Sequence, residues 1–160
     1  MADNAENTLV LTLKTGEVKI ALRPDLAPMH VARIKELAGS GFYDNIAFHR
    51  VIPNFMAQTG DPTGTGSGGS KLPNLKAEFS AAPHKRGTLS MARTNDPDSA
   101  NSQFFICLAD CTWLDRQYTV FGQVVGGMEH VDAIKKGGEH SNGAITGPPD
   151  RIVSLRPATA

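Results

Sequence analysis

The sequence predicts a mainly β domain, folded as a closed antiparallel barrel of about eight strands with two helices. Three observations carry this. Short runs of alternating apolar and polar residues recur along the chain, each bounded by Gly, Pro, Asn or Asp. Helical periodicity is confined to two widely separated places, so strands and helices do not alternate as βαβ units. Internal repeats and domain linkers are absent from the pattern. Many short strands joined by turns favour a barrel over a parallel sheet with helices on both faces.

In Thr8 to Leu13 the residues Leu9, Leu11 and Leu13 alternate with polar ones, and in Glu17 to Leu22 so do Val18, Ile20 and Leu22. Lys14-Thr15-Gly16-Glu17 supplies the turn of this predicted hairpin. Pro28 opens a helix with Val31, Ile34 and Leu37 on one face and Arg33, Lys35 and Glu36 off it, closed by Gly39 and Gly41. Ala47 to Ile52 and Phe55 to Thr59 are strands split by Pro53-Asn54. From Gly60 to about Gly87 periodicity is lost. A loop that long inside a compact domain is usually functional or disordered, and Phe79 is expected to pin this one to the body.

Thr88 to Arg93 is a short strand, followed by the turn cluster Asn95-Asp96-Pro97-Asp98-Ser99. In Gln103 to Ala109, Phe104, Ile106 and Leu108 share one face and Gln103, Phe105 and Cys107 the other. With the first face in the core, Phe105 is left outside beside a glutamine, which a binding pocket would explain. Cys111 to Gln117 is a loop carrying the single tryptophan, Trp113. Tyr118 to Val125 is a strand, Met128, Val131 and Ile134 mark a second helix ended by Lys135-Lys136-Gly137-Gly138, and Arg151 to Leu155 is the closing strand.

A chain of 160 residues is the size of one domain, here 1–160 with 1–7 as a frayed polar start. Lys plus Arg and Asp plus Glu both total 16, so no bulk charge argues for a nucleic-acid or membrane partner. The N-terminus lacks a basic segment followed by an apolar core, and no apolar run is long enough to cross a bilayer. A soluble, cytoplasmic monomer is expected. Cys107 and Cys111 have neither a disulfide framework nor a zinc-site spacing, and read as buried free thiols.

The stretch FHRVIPNFMAQTGDPTGTGSGG, Phe48 to Gly69, offers a cation (Arg50), an apolar wall (Phe55, Met56) and an amide (Gln58) within a few residues. It contains no nucleophile, metal box or carboxylate pair, so its chemistry is positioning and electrostatics. Gly64-x-Gly66-x-x-Gly69 matches a dinucleotide-binding pattern in letters only. Asp61-Pro62 precedes it and Lys71-Leu72-Pro73 follows, so no helix starts there to meet a pyrophosphate. The loop reads instead as backbone that a ligand approaches closely. The five histidines are scattered, His49 beside Arg50 reads as structural, and no Gly-x-Ser-x-Gly elbow is present. No metal or cofactor is expected.

With GTLSMA (Gly87 to Ala92), SQFFI (Ser102 to Ile106), WLD (Trp113 to Asp115) and VFGQV (Val120 to Val124), that stretch resembles the cyclophilins, peptidyl-prolyl cis/trans isomerases, over about Thr8 to Leu155. The resemblance is greatest to compact bacterial members. It implies an eight-stranded barrel with a helix at each end and an active groove on its outer face. It also implies that Arg50 is the catalytic arginine, that Gln58 holds the substrate backbone, and that Phe55, Met56, Phe105 and Leu114 wall a proline pocket. Ala92, Arg93, Thr94 and Gln103 would line the adjoining groove, Gly66 its loop, and Trp113 a rim associated with cyclosporin. The implied partners are proline-containing peptides and unfolded or folding proteins. Tyr118 stands where many members have a histidine and Arg93 where many have an asparagine, which should change sequence preference or inhibitor affinity without abolishing activity. A non-catalytic proline-peptide binding module using the same groove is the alternative.

Overall fold

The structure, a computed structural model, describes residues 7–138 and 142–158, so most of the expected frayed start lies outside the described residues. The strands are β1 (Thr8–Leu13), β2 (Gly16–Leu22), β3 (Arg50–Ile52), β4 (Met56–Thr59), β5 (Thr88–Met91), β6 (Phe104–Cys107), β7 (Val120–Gly126) and β8 (Ser154–Pro157). The helices are α1 (Pro28–Gly39) and α2 (Met128–Asp132), with a 3₁₀ turn at Thr112–Leu114. All eight strands form one antiparallel sheet in the order β3-β4-β6-β5-β7-β2-β1-β8.

The alternation that predicts the strands also sets their faces. Leu9, Leu11, Leu13, Val18, Ile20 and Leu22 all point inward in the β1–β2 hairpin, joining Val31, Ile34 and Leu37 of α1 and Phe104, Ile106 and Phe121 in one core. The strand ends differ by a few residues from expectation, because the ladder stops where a partner strand stops. β3 is shorter than Ala47 to Ile52, Ala47 making only an isolated bridge to Arg151. α2 stops at Asp132, short of the expected Lys135. The Ile134 N–H already bonds Val131 O at 3.1 Å, and the Lys135 N–H is taken by the Asp150 carboxylate at 2.7 Å.

The sheet curls but its ladder is open, which corrects the closed barrel. β3 and β8 are its two edges. The free edge of β3 is met by Gly137 and Gly143: Val51 donates to Gly143 O at 2.9 Å and accepts from the Gly137 N–H at 2.8 Å. Ahead of β8, Ile152 pairs with Asn45 and Ile46 instead, at 2.7 and 2.8 Å. Edge backbone groups that irregular segments satisfy need no strand-to-strand closure.

The long segment between β4 and β5 is pinned, but not by Phe79, which is 42% exposed. Leu75 is buried and bridges to Ala100. Glu78 caps α1, accepting from the Met29 and His30 N–H groups at 3.3 and 2.9 Å and meeting His30 Nδ1 at 2.5 Å. A helix whose N-cap is Ala27 has orphan N–H groups, and a carboxylate against its positive end satisfies them from elsewhere in the chain. The same segment covers Arg33, whose Nη2 donates to Pro73 O at 2.6 Å, so this residue off the apolar face is buried after all.

Candidate functional site

Side chains alternate across each strand, and register places one row of them on the outer face. Arg50 pairs with Gln58 across β3 and β4, Gln58 with Phe105 across β4 and β6, and Phe105 with Ser90 across β6 and β5. The neighbouring row runs Ile52, Met56, Cys107. Their partners in the opposite phase, Val51, Ala57 and Ile106, enter the main core. Met56, Phe105, Cys107 and Cys111 form a second buried cluster, with Phe55, Ala92, Leu114 and Tyr118 packed against it. The outward Phe105 is thus 5% exposed, covered by a small core of its own.

Over this cluster opens a pocket of about 100 Å³ lined by Arg50, Phe55, Met56, Gln58, Ala92, Arg93, Phe105, Leu114 and Tyr118. A larger cleft of about 540 Å³ adjoins it, sharing Gln58, Ala92 and Arg93 and extending along Gly66, Thr94, Ser99 and Gln103. Every residue expected in the site lies in one of the two except Trp113. That ring, 60% exposed, stands 5.6 Å from the Phe55 ring as a rim.

A chain of polar contacts holds the arginine. Arg50 donates from Nε to Asn142 O and from Nη2 to Asn142 Oδ1, both at 2.9 Å, and from Nη1 to Gln58 Oε1 at 3.2 Å. Gln58 Nε2 in turn donates to Gln103 Oε1 at 2.9 Å, and Gln103 Nε2 to Gly66 O and Gly68 O at 3.0 and 2.9 Å. A guanidinium has five N–H donors in a rigid plane. These bonds fix that plane and leave one N–H on each terminal nitrogen without a partner among the described residues. Burial lowers the Arg50 pKa, and the Tyr118 phenol acts against that.

The glycine loop takes its shape from Asp61. Its carboxylate accepts from the Thr63 N–H and hydroxyl at 2.8 and 2.7 Å, and from the Thr65 and Gly66 N–H groups at 3.1 and 2.6 Å. Burial alone would push this carboxyl up, but the Thr63, Gly68 and Gly66 donors outweigh it and hold the pKa at about 2. A Cβ on Gly68 would lie 2.2 Å from Asp61 Oδ1, so only glycine fits there. The loop's carbonyls, not a helix N-terminus, face the groove, in keeping with the rejected dinucleotide motif.

Two features were not anticipated from the sequence. Asn142, which clamps Arg50, lies 92 positions further along the chain, and its only local signal is an Asn-Gly pair typical of turns. Beneath the pocket floor, His84 Nδ1 meets Asp115 Oδ1 and Nε2 meets Ser90 Oγ, both at 3.0 Å, while its ring stacks on Phe105 at 6.2 Å. Ser, His and Asp in this order are the parts of a nucleophilic triad. Here Ser90 is fully buried and its hydroxyl bonds Thr119 O at 3.0 Å, so no substrate reaches it and the set acts as a strut behind Phe105. His49 lies outside both pockets, its ring against Gly66.

Residues 8–156 match the family model described as cyclophilin type peptidyl-prolyl cis-trans isomerase. A probable peptidyl-prolyl cis-trans isomerase of Brucella suis is 54% identical over 163 residues, covering 95% of this chain and 83% of that protein. Peptidyl-prolyl cis-trans isomerase-like 1 of Aspergillus fumigatus is 44% identical, covering 75% of this chain and 76% of that one. Among solved structures, cyclophilin AquaCyp293 from Hirschia baltica superposes with a TM-score of 0.85 at 27% identity, covering 96% of this chain and 74% of that one. A Cryptosporidium parvum cyclophilin type isomerase, crystallised in the presence of the dipeptide Ala-Pro, superposes with a TM-score of 0.84 at 29% identity, covering 93% and 97% of the two chains. With the family model matched from β1 to β8, the chain belongs to the cyclophilin type peptidyl-prolyl cis-trans isomerases.

Proposed function

We propose that this chain catalyses rotation about X-Pro peptide bonds with Arg50 as its catalytic residue. The observation that carries the assignment is the placement of a clamped guanidinium, with one N–H on each terminal nitrogen left over by its partners among the described residues, at the edge of an apolar pocket sized for one small ring. Proline-containing peptides and folding chains are the substrates. Cyclosporin is proposed as an inhibitor that meets the Trp113 rim. The protein is proposed to act as a cytoplasmic monomer of one domain.

Amide resonance sets a barrier of about 18–20 kcal/mol to this rotation. As the bond twists, conjugation is lost, the imide nitrogen becomes pyramidal and its lone pair localises. The nitrogen then accepts a hydrogen bond better than it does in the planar ground state. A donor aimed at it therefore binds the twisted state more strongly, which is the condition for catalysis. Arg50 supplies that donor and also holds the prolyl carbonyl. Phe55, Met56, Phe105 and Leu114 grip the pyrrolidine ring and exclude water, which strengthens the arginine's field. Gln58, itself held by Gln103, and Ala92, Thr94 and the Gly66 loop hold the flanking peptide. With one side clamped, the other turns, and no covalent bond is made or broken.

Arg50→Ala should lower kcat for a proline peptide by about 10²-fold or more, the cost of removing a donor to developing charge, while peptide affinity falls far less. A protease-free isomerisation assay paired with peptide titration checks this. An unchanged rate would remove Arg50 from the mechanism.

A further inference from the structure

Arg93 occupies the junction of the two pockets, lining both. Its guanidinium is not loose. Nε and Nη2 donate to Gln117 O at 3.0 and 2.8 Å and Nη1 to Thr94 O at 2.9 Å. The same group stacks over the Tyr118 ring at 4.6 Å and faces the Phe79 ring at 5.9 Å. An arginine held by carbonyl oxygens and aromatic faces is oriented without being neutralised. Among the described residues it has no carboxylate partner. Among the described residues no Asp or Glu lines either pocket, and Arg93 is the single charged one lining the larger cleft. The acidic residues of the adjacent turn face other work, Asp98 accepting from the Ala77 N–H at 2.8 Å and Asp96 from the Asp98 N–H at 2.9 Å. The other described residues of the cleft wall are uncharged, carrying hydroxyls, side-chain amides and glycine backbone, so the field there is set by the guanidinium.

We propose that Arg93 determines substrate specificity, selecting peptides with an Asp or Glu side chain within a few residues of the proline, on the strand of substrate that passes Gln58 and Ala92 into the larger cleft. This rests on the isomerase assignment above. Proline seats in the small pocket, the neighbouring residues run past the junction, and the incoming carboxylate meets the terminal N–H groups of Arg93 that its own carbonyl bonds leave over. Tyr118 is part of the device, since its ring is the surface on which the guanidinium lies.

The test is a panel of proline peptides identical but for one position, carrying Ala, Gln, Glu or Lys at each of the three residues before and two residues after the proline. Turnover is measured by NMR exchange and affinity by titration, for the wild type, Arg93→Gln and Arg93→Lys. At one position Glu should exceed Gln by about two- to fivefold in kcat/KM, the span of a partly exposed ion pair, with Lys below Ala. The ratio should shrink in 0.5 M salt, drop to about one in Arg93→Gln, and persist in reduced form in Arg93→Lys, a rescue that a merely structural role would not show. A Glu-to-Gln ratio near one at every position in the wild type, or one that survives Arg93→Gln, overturns the proposal. If the wild type turns over no peptide, the isomerase assignment fails, and the same ratio read in Kd still decides the role of Arg93.

Discussion

Asn142 does at the residue scale what Arg50 cannot do for itself. A long cation on a strand surface would sample many rotamers, and the two bonds from Asn142 hold one of them. Asn142 sits at a φ of 56°, a backbone region that Asn and Asp enter more readily than other side chains. Next to it, a Cβ on Gly143 would lie 3.1 Å from Arg50 Cγ and 2.6 Å from Ile52 Cγ1, so the turn presses against the arginine stem. Asn142→Ala should therefore reduce kcat on the order of tenfold through misplacement of the guanidinium, with Asn142→Asp retaining more activity because it keeps an acceptor and tolerates the same φ. Steady-state rates of wild type and the two variants on one peptide check this, and an Asn142→Ala rate equal to wild type would show that Asn142 does not position Arg50.

The glycine loop, at the scale of an element, is organised by one carboxylate. Asp61 has a folded-state pKa of about 2 against an ordinary 3.8. A group with a depressed carboxyl pKa contributes stability above its unfolded value and loses that contribution as pH falls through the folded one. The Asp61 contribution should be complete above about pH 4 and fade between there and about pH 2. Asp61→Asn leaves backbone donors poorly matched and should cost about 1–3 kcal/mol at neutral pH. In urea melts the gap between wild type and variant should close across that acid window. A gap independent of pH would mean that the loop does not depend on the Asp61 charge. Because Gln103 is anchored on Gly66 O and Gly68 O, the variant should also weaken peptide binding.

Over the whole molecule, burial lowers the pKa of His30, His49 and His84. Glu78 and Asp115 counter it at His30 and His84, and Asp61 at His49, where both ring nitrogens lack a hydrogen-bond partner among the described residues. These rings are neutral in the fold and charge more readily when it opens, so the unfolded chain binds more protons below the ordinary histidine value of 6.5. Stability should fall as pH drops from about 6.5 towards the lowered folded values, and level off below them. Turnover should stay flat between about pH 6.5 and 9, since among the described residues no carboxylate or histidine lines the small pocket. Thermal melts from about pH 7 downwards check the first half and rates across the flat range the second, which a steep bell-shaped profile would contradict.

What the sequence by itself determined is whatever depends on neighbours in the chain. Alternation told Phe104 from Phe105, Pro28 and Gly39 bounded α1, and the absence of a helix after Gly69 removed the nucleotide reading. The ordered blocks around Arg50, Phe105 and Trp113 resembled one family closely enough to name the pocket. Tertiary structure decided the rest, because it depends on groups far apart along the chain. Register assembled Arg50, Gln58, Phe105 and Ser90 into one row, Asn142 and Glu78 reached across 92 and 48 positions to clamp an arginine and cap a helix, and irregular segments rather than strands satisfied the sheet's edges. Local pattern specifies which way a side chain points. Only the closing of the chain on itself specifies what it meets.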